Sequence, residues 1–102
     1  MGLIIDEGIS TDMGATENAY IIIQEYHINK RGILTLVIRL YTSKTAYANS
    51  QRNFAQHRHI PKKVFITLDE EENNIRQSDI YTFGYDKLKE YLSDYFDNIV
   101  DD

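Results

Sequence analysis

Two histidines lie close enough in the chain to suggest a metal site. His57 and His59 are two positions apart, so on a β-strand both imidazoles would point to the same side. A zinc site needs three or four ligands, and the chain has no cysteine to complete one, so folding would have to bring in a further ligand. We therefore expect two solvent-facing histidines on an edge strand, with no bound metal and no cofactor.

Acidic residues offer oxygen ligands in one dense run, at positions 69–72. A calcium loop alternates its oxygen ligands and has a glycine at its centre, and this run has neither feature. Serine, histidine and aspartate are scattered without a nucleophile-elbow motif, and the five glycines are isolated rather than grouped in a phosphate-binding loop. We expect the acidic run to be a solvated loop, and we expect no enzyme activity.

A basic patch surrounds Phe54 and is formed by Arg52, Arg58, Lys62 and Lys63. Basic residues beside an aromatic ring can bind nucleic acid, but the net charge of −5 opposes such binding. Two other roles are open: the lysines would protect an edge strand from aggregation, or the patch would contact acidic residues of another subunit. Residues 1–66 carry a net charge of +3 and residues 67–102 carry −8, so opposite patches on neighbouring subunits could guide assembly.

Length and composition indicate a single domain over residues 1–102. Hydrophobic residues make up 42% of the chain, which argues against general disorder, and 102 residues leave no room for a second core. The eight tyrosines suit half-exposed sheet faces and protein interfaces, although tyrosine is also an ordinary strand residue. No apolar run approaches the ~20 residues that a membrane-spanning helix needs, so we expect no membrane partner.

The strongest pattern is a central β-hairpin over residues 19–41. Both halves alternate with a period of two, and the residues 29–32 between them suit a type I turn followed by Gly32 in the left-handed conformation. The alternation places one set of side chains on the inner face: Tyr20, Ile22, Tyr26, Ile28, Leu34, Leu36, Ile38 and Leu40. The other face is mixed and needs a cover from a second layer or another subunit. Its apolar and aromatic members include Ile21, Ile23, Val37 and Tyr41.

The segments between the regular elements are expected to be loops. Residues 6–17 are rich in Gly, Ser, Thr and Asp and are expected to be loop and turns, with positive φ at Gly8 and Gly14. Residues 42–60 have weak alternation and no clean helical stripe. They predict an irregular edge strand or a projecting loop.

The regular elements predict an α+β fold, in which a small antiparallel β-sheet is covered by one C-terminal α-helix. The sheet would contain the hairpin, a first strand over residues 3–5 and a strand over residues 62–68, which follows Pro61. The apolar period then changes to about 3.6 and predicts the helix over residues 85–96. Acidic residues at the helix end oppose its dipole, so the tail is expected to fray or to wait for a basic partner surface.

Short motifs at both ends of the chain resemble a group of small virion proteins from tailed bacteriophages. The motifs are an apolar first strand, a Gly/Thr-rich turn, the strand start Asn18-Ala19-Tyr20, and the helix start Tyr85-Asp86-Lys87-Leu88-Lys89. The proteins of crAss-like phages are the most similar in character. This chain departs from them in the polar insert over residues 49–59 and in the acidic tail. The resemblance implies a virion location and a structural role, and it carries no catalytic residue.

The function expected from this resemblance is that of a self-associating component of a head-surface fibre or decoration, with a dimer as the default state. Its partners would be other copies and other phage structural proteins of the capsid, fibre or tail. A tail, collar or baseplate adaptor is the alternative within this class, and a small non-virion protein acting on host factors is the alternative outside it. The residues expected to make contacts, besides the acidic tail, are Tyr41, Tyr47, Phe54 and Arg58.

Overall fold

The computed structural model describes residues 2–50, 52, 54–69 and 80–102, with the backbone alone for residues 80 and 81. In chain order the elements are β1 (Leu3–Ile5), β2 (Ile9–Thr11), β3 (Gly14–Thr16), β4 (Ala19–Ile28), β5 (Ile33–Tyr41), α1 (Lys44–Asn49), β6 (Lys63–Thr67), α2 (Ile80–Leu92) and β7 (Ile99–Asp101). Five strands form an antiparallel sheet in the order β6-β5-β4-β1-β7, and β2 and β3 form a separate hairpin. The predicted α+β fold with a small antiparallel sheet is confirmed.

The turn of the central hairpin forms as its sequence predicts. The Asn29 side-chain oxygen accepts hydrogen bonds from the backbone N–H groups of Arg31 (2.9 Å) and Ile33 (3.0 Å). The Gly32 N–H donates to the Asn29 carbonyl at 3.1 Å, and Gly32 has a φ of 78°, which only glycine adopts at low cost. This local chemistry fixes the register between β4 and β5.

A β-bulge at Gln24 divides β4 into two halves with opposite alternation. Ile23 pairs with Ile38 and Glu25 pairs with Val37, so Gln24 is an extra residue with no partner on β5. Beyond the bulge, Tyr26 and Ile28 share a face with Leu36 and Leu34, as predicted. Before the bulge the prediction is wrong by one residue, because Ile21 and Ile23, rather than Tyr20 and Ile22, face the core.

The core lies between one face of the sheet and α2. Its buried side chains come from every strand of the sheet except β7, from β2, from α2 and from the flanking loops: Leu3, Ile5, Ile9, Ala19, Ile21, Ile23, Leu34, Leu36, Ile38, Leu40, Ala55, Ile60, Val64, Leu68, Tyr85, Leu88, Leu92 and Phe96. A Cβ atom at Gly84 would lie 3.2 Å from the Ile23 side chain, so this glycine allows α2 to pack tightly on the sheet. The predicted start at 85 treats Gly84 as a residue that disfavours a helix. Gly84 instead serves packing inside the helix, and α2 begins five residues earlier, at Ile80.

The end of α2 also differs from the prediction of residue 96. The helix ends at Leu92, where the Ser93 hydroxyl donates to the Glu90 carbonyl at 2.6 Å. Phe96 lies beyond this end but is still buried, so the apolar period continued past the helix itself. No described helix is long and apolar enough to cross a membrane.

Three segments that were expected to be irregular contain secondary structure. The first loop holds the β2–β3 hairpin, in which Gly14 has the expected positive φ (113°) and Gly8 does not. The segment after β5 contains α1, capped by the Ser43 hydroxyl, which accepts a hydrogen bond from the Ala46 N–H at 3.0 Å. The acidic tail forms β7 instead of fraying. The acidic loop expected at 69–72 lies, apart from Asp69, outside the described residues.

Candidate interaction surfaces

Three tyrosines cover one end of the second sheet face, opposite α2. Tyr20 and Tyr41 are cross-strand partners, and the Tyr47 ring from α1 packs on them at centroid distances of 5.5 and 4.9 Å. Tyr41 is completely buried, so its expected place on an exposed side of the sheet is wrong. The reason is α1, which supplies at this end the second layer that the mixed face requires.

Buried Tyr20 connects this tyrosine cluster to the end of the chain. Its hydroxyl donates to Asp102 Oδ2 at 2.9 Å, and Lys44 Nζ lies 2.7 Å from Asp102 Oδ1. Burial raises the pKa of Tyr20, and the hydrogen bond to Asp102 raises it further. The hydrogen bond from Lys44, followed by that from Tyr20, lowers the pKa of Asp102. The cluster therefore ties the last strand to α1 through one charged contact.

A cleft of about 330 Å³ lies where β5 separates from the segment that precedes β6. The Arg39 guanidinium carbon lies 4.9 Å from the centroid of the Phe54 ring, a cation–π contact, and both side chains line this cleft. Lys62 and Lys63 line it as well. The cleft thus combines an apolar wall with three cations, and Phe54 remains a predicted contact residue.

The two histidines form part of a turn and not of an edge strand. His57 and Ile60 form an isolated bridge, and the rings of His57 and His59 lie 5.6 Å apart. Each ring packs on an aromatic residue after α2, with His57 edge-on to Phe96 and His59 stacked 4.3 Å from Tyr95. Both histidines are half-buried, so their expected position facing solvent on an edge strand is wrong.

The histidines and Arg58 line a second depression, beside the β2–β3 hairpin. Burial lowers the pKa of His57, and the neighbouring His59 and Arg58 lower it further. Among the described residues, no group of three His, Cys, Asp or Glu side chains is placed to hold a metal ion. Arg58 is exposed and remains a predicted contact residue.

The β6 edge of the sheet carries the most exposed large hydrophobic side chain of the described chain. Phe65, at the centre of β6, is 66% exposed, while its neighbour Val64 is 2% exposed. No described strand pairs with the outer side of β6. An apolar ring on an unpaired edge is a typical site of strand-mediated association.

The β7 edge is short and is held by polar contacts. Glu7 Oε1 accepts hydrogen bonds from the backbone N–H groups of Asp97 (2.6 Å) and Asn98 (2.9 Å), just before β7 begins. Lys89 Nζ lies 3.5 Å from Asp101, within β7. This edge thus consists of a three-residue strand with an acidic end.

The four predicted contact residues do not form one surface. Tyr41 is buried, Tyr47 is half-buried against it, and Phe54 and Arg58 line separate clefts. Phe65 was missed as a contact residue, although the alternation of residues 62–68 already placed it on the face opposite Val64. The missing information was that β6 lies at the edge of the sheet, which depends on long-range topology.

No protein-family model, curated protein or solved structure matches this chain.

Proposed function

We propose that this protein is a non-catalytic, self-associating structural component of a tailed-phage particle, located in a head-surface fibre or decoration. The observation that carries self-association is the exposed Phe65 on the unpaired edge strand β6. The phage assignment depends on the motif resemblance at the two ends of the chain.

The physical reason for self-association is the chemistry of this edge. Backbone N–H and C=O groups that lack a strand partner attract another strand, and a partner also removes the apolar ring from water. A second copy bound at this edge would both pair the outward-facing backbone groups and remove the phenyl ring from water. A protein present in many copies on a particle would use this type of contact repeatedly.

Two measurements test the proposal separately. Quantitative mass spectrometry of purified phage particles should find the protein in many copies per particle, and its absence would contradict the virion assignment. Multi-angle light scattering of the isolated protein over a wide concentration range should show a dimer or larger species. A strict monomer at high concentration would contradict self-association.

The cleft beside Phe54 favours a second candidate function, that of a small binding protein for an acidic partner. Three cations, Arg39, Lys62 and Lys63, line its partly apolar wall. This arrangement suits a partner segment with a carboxylate next to an apolar side chain. Simultaneous replacement of the two lysines by glutamine should leave the oligomeric state unchanged under the first proposal and abolish capture of the partner under the second.

A further inference from the structure

We propose that two copies of this chain pair through β6 in an antiparallel arrangement, with a two-fold axis beside Phe65. This inference depends on the self-association proposed above and specifies its contact. The result would be one continuous sheet shared by two subunits, with α2 of both subunits on the same side. Three features of β6 lead to this arrangement: its backbone direction, its side chains and its neighbours along the chain.

The backbone groups available for pairing are identified by the hydrogen bonds that β6 already makes. Ile38 N–H donates to the Lys62 carbonyl at 3.0 Å, and Leu68 N–H donates to the Gly32 carbonyl at 2.8 Å. Because backbone direction alternates along a strand, even-numbered residues of β6 face β5. The N–H and C=O groups of Lys63, Phe65 and Thr67 therefore point away from the sheet.

An antiparallel pair centred on Phe65 uses all three of these residues on both strands. Phe65 lies opposite Phe65 of the second copy and exchanges both backbone hydrogen bonds with it, while Lys63 lies opposite Thr67. The two exposed phenyl rings become direct cross-strand neighbours on the same face, where aromatic pairs are favourable. No like charges oppose each other.

Other registers of the same pair are poorer. A centre at Lys63 brings two ammonium groups face to face, which is unfavourable. A centre at residue 64 places Pro61 opposite Thr67, and proline has no N–H to donate. A centre at residue 66 or 67 leaves Lys63 opposite residues beyond the end of β6 at Thr67. Only the register centred on Phe65 pairs every outward-facing residue of one strand with an outward-facing residue of the other.

The β7 edge does not offer the same contact. It has three residues and includes Asp101, and its C-terminal neighbour is Asp102. Self-pairing centred on its outward-facing Asp101 would bring two carboxylates face to face, and the exposed apolar residue at the centre of β7 is the smaller Val100 (47% exposed). The β6 edge is therefore better suited than the β7 edge to pairing with a second copy of itself.

Cross-linking between single-cysteine variants tests the register directly, because the chain has no cysteine of its own. In the proposed dimer, the Cα atoms of Lys63 and Thr67 on opposite strands are about 5.5 Å apart. Two copies of Lys63, or two copies of Thr67, are separated by roughly 14 Å along the strands. A short thiol cross-linker should therefore join a mixture of K63C and T67C proteins, while each variant alone should give little product.

Two charge substitutions provide the matched comparison. F65K should weaken dimerisation about 30-fold or more, the typical loss for an aromatic at an interface centre. V100K, the same change at the centre of the β7 edge, should leave the dimer unchanged. Circular dichroism of both variants controls for folding, and F65Y, which keeps the ring, should preserve the dimer.

The outcomes separate this inference from the proposed function. A dimer that resists F65K, or that cross-links K63C to itself, would overturn the β6 register while self-association stands. A dimer disrupted by V100K instead would assign the contact to β7 and overturn the inference. A monomeric wild-type protein would overturn both self-association and this contact.

Discussion

The two edge strands of the sheet, β6 and β7, differ in how they are stabilised and in what they present to solvent. Both β6 and β7 have one side without a described strand partner. The β7 edge is short, ends in acidic residues and is tied down by Glu7 and by the contact among Tyr20, Lys44 and Asp102. The β6 edge is longer, is held by apolar side chains on its inner face and presents a phenyl ring to solvent.

The difference shows which edge is protected against pairing and which is not. Short length and charge are common protections of edge strands, and β7 has both. On β6 only Lys63 supplies such protection, and it lies at the beginning of the strand. Stability at β6 should therefore depend on apolar burial, and stability at β7 should depend on polar contacts that respond to local substitution and to pH.

The largest expected effect is on the apolar support of β6. Leu68 is 7% exposed in the core, and L68A should lower the free energy of unfolding by about 2–5 kcal/mol. The loss should be global, since Leu68 belongs to the single core, and urea denaturation would measure it. F65A on the same edge should change the stability of the monomer by less than about 0.5 kcal/mol. Equal losses in the two variants would contradict this view of β6.

A smaller effect is expected where the β7 edge meets the tyrosine cluster. A Cβ atom at Gly2 would lie 2.6 Å from the Tyr20 ring, so G2A should push the Tyr20 hydroxyl away from Asp102 and cost about 1–3 kcal/mol. Gly8 provides a matched control, because a Cβ atom there would meet no other atom within 4 Å and its φ is not positive. G8A should be neutral or slightly stabilising. Urea denaturation of both variants tests the difference.

The next effect should be confined to the β7 edge. E7A removes the acceptor of two backbone N–H groups and should cost about 1–2 kcal/mol. Hydrogen exchange should become faster at Val100 and Asp102, whose N–H groups face β1, while the amides of Val64 and Ile66, which face β5, keep their protection. E17A, at an exposed glutamate, is the control. Uniform acceleration across the whole sheet would show that Glu7 supports the entire domain and not this edge.

The smallest expected effect is a response of the β7 edge to acid. The pKa of Asp102 is lower in the folded protein than in the unfolded chain, chiefly through Lys44, so its carboxylate stabilises the fold above the ordinary carboxyl pKa of about 4. This contribution is lost as the pH falls through the lowered pKa. NMR spectra recorded between pH 5 and pH 2.5 should show β7 amides shifting before those of β6. The D102N variant should reduce that difference.

Local chemistry explains which elements the sequence could predict. The hairpin turn depends on Asn29 and Gly32 alone, and strand β6 depends on its own alternation, so both were predictable. The inner face of β4 was only half predictable, because the bulge at Gln24 arises from pairing with β5 and leaves no mark in the alternating pattern. Helix α1 has six residues without a fully buried side chain, so no apolar stripe could reveal it.

The contact residues were harder to predict than the fold because exposure depends on the second layer. Tyr41 is buried because α1 lies over it, and Phe65 is exposed because β6 lies at the edge of the sheet. Gly84 misled in a similar way, since a glycine that permits close helix packing cannot be told from one that begins a helix. Each of these differences comes from contacts between residues far apart in the chain.

The pairing of β1 with β7 determines how the domain responds to mechanical force. Leu3 is opposite Asp101, and Asp102 N–H donates to the Gly2 carbonyl at 3.0 Å, so residues 2 and 102 emerge side by side. Tension between residues 2 and 102 pulls at one end of this strand pair, so it breaks the β1–β7 hydrogen bonds one after another. Tension applied across the β6 edge is instead spread over a whole strand. Force applied through residues 2 and 102 would therefore open the β1–β7 pairing first, whereas force applied through β6 would leave that pairing unstressed.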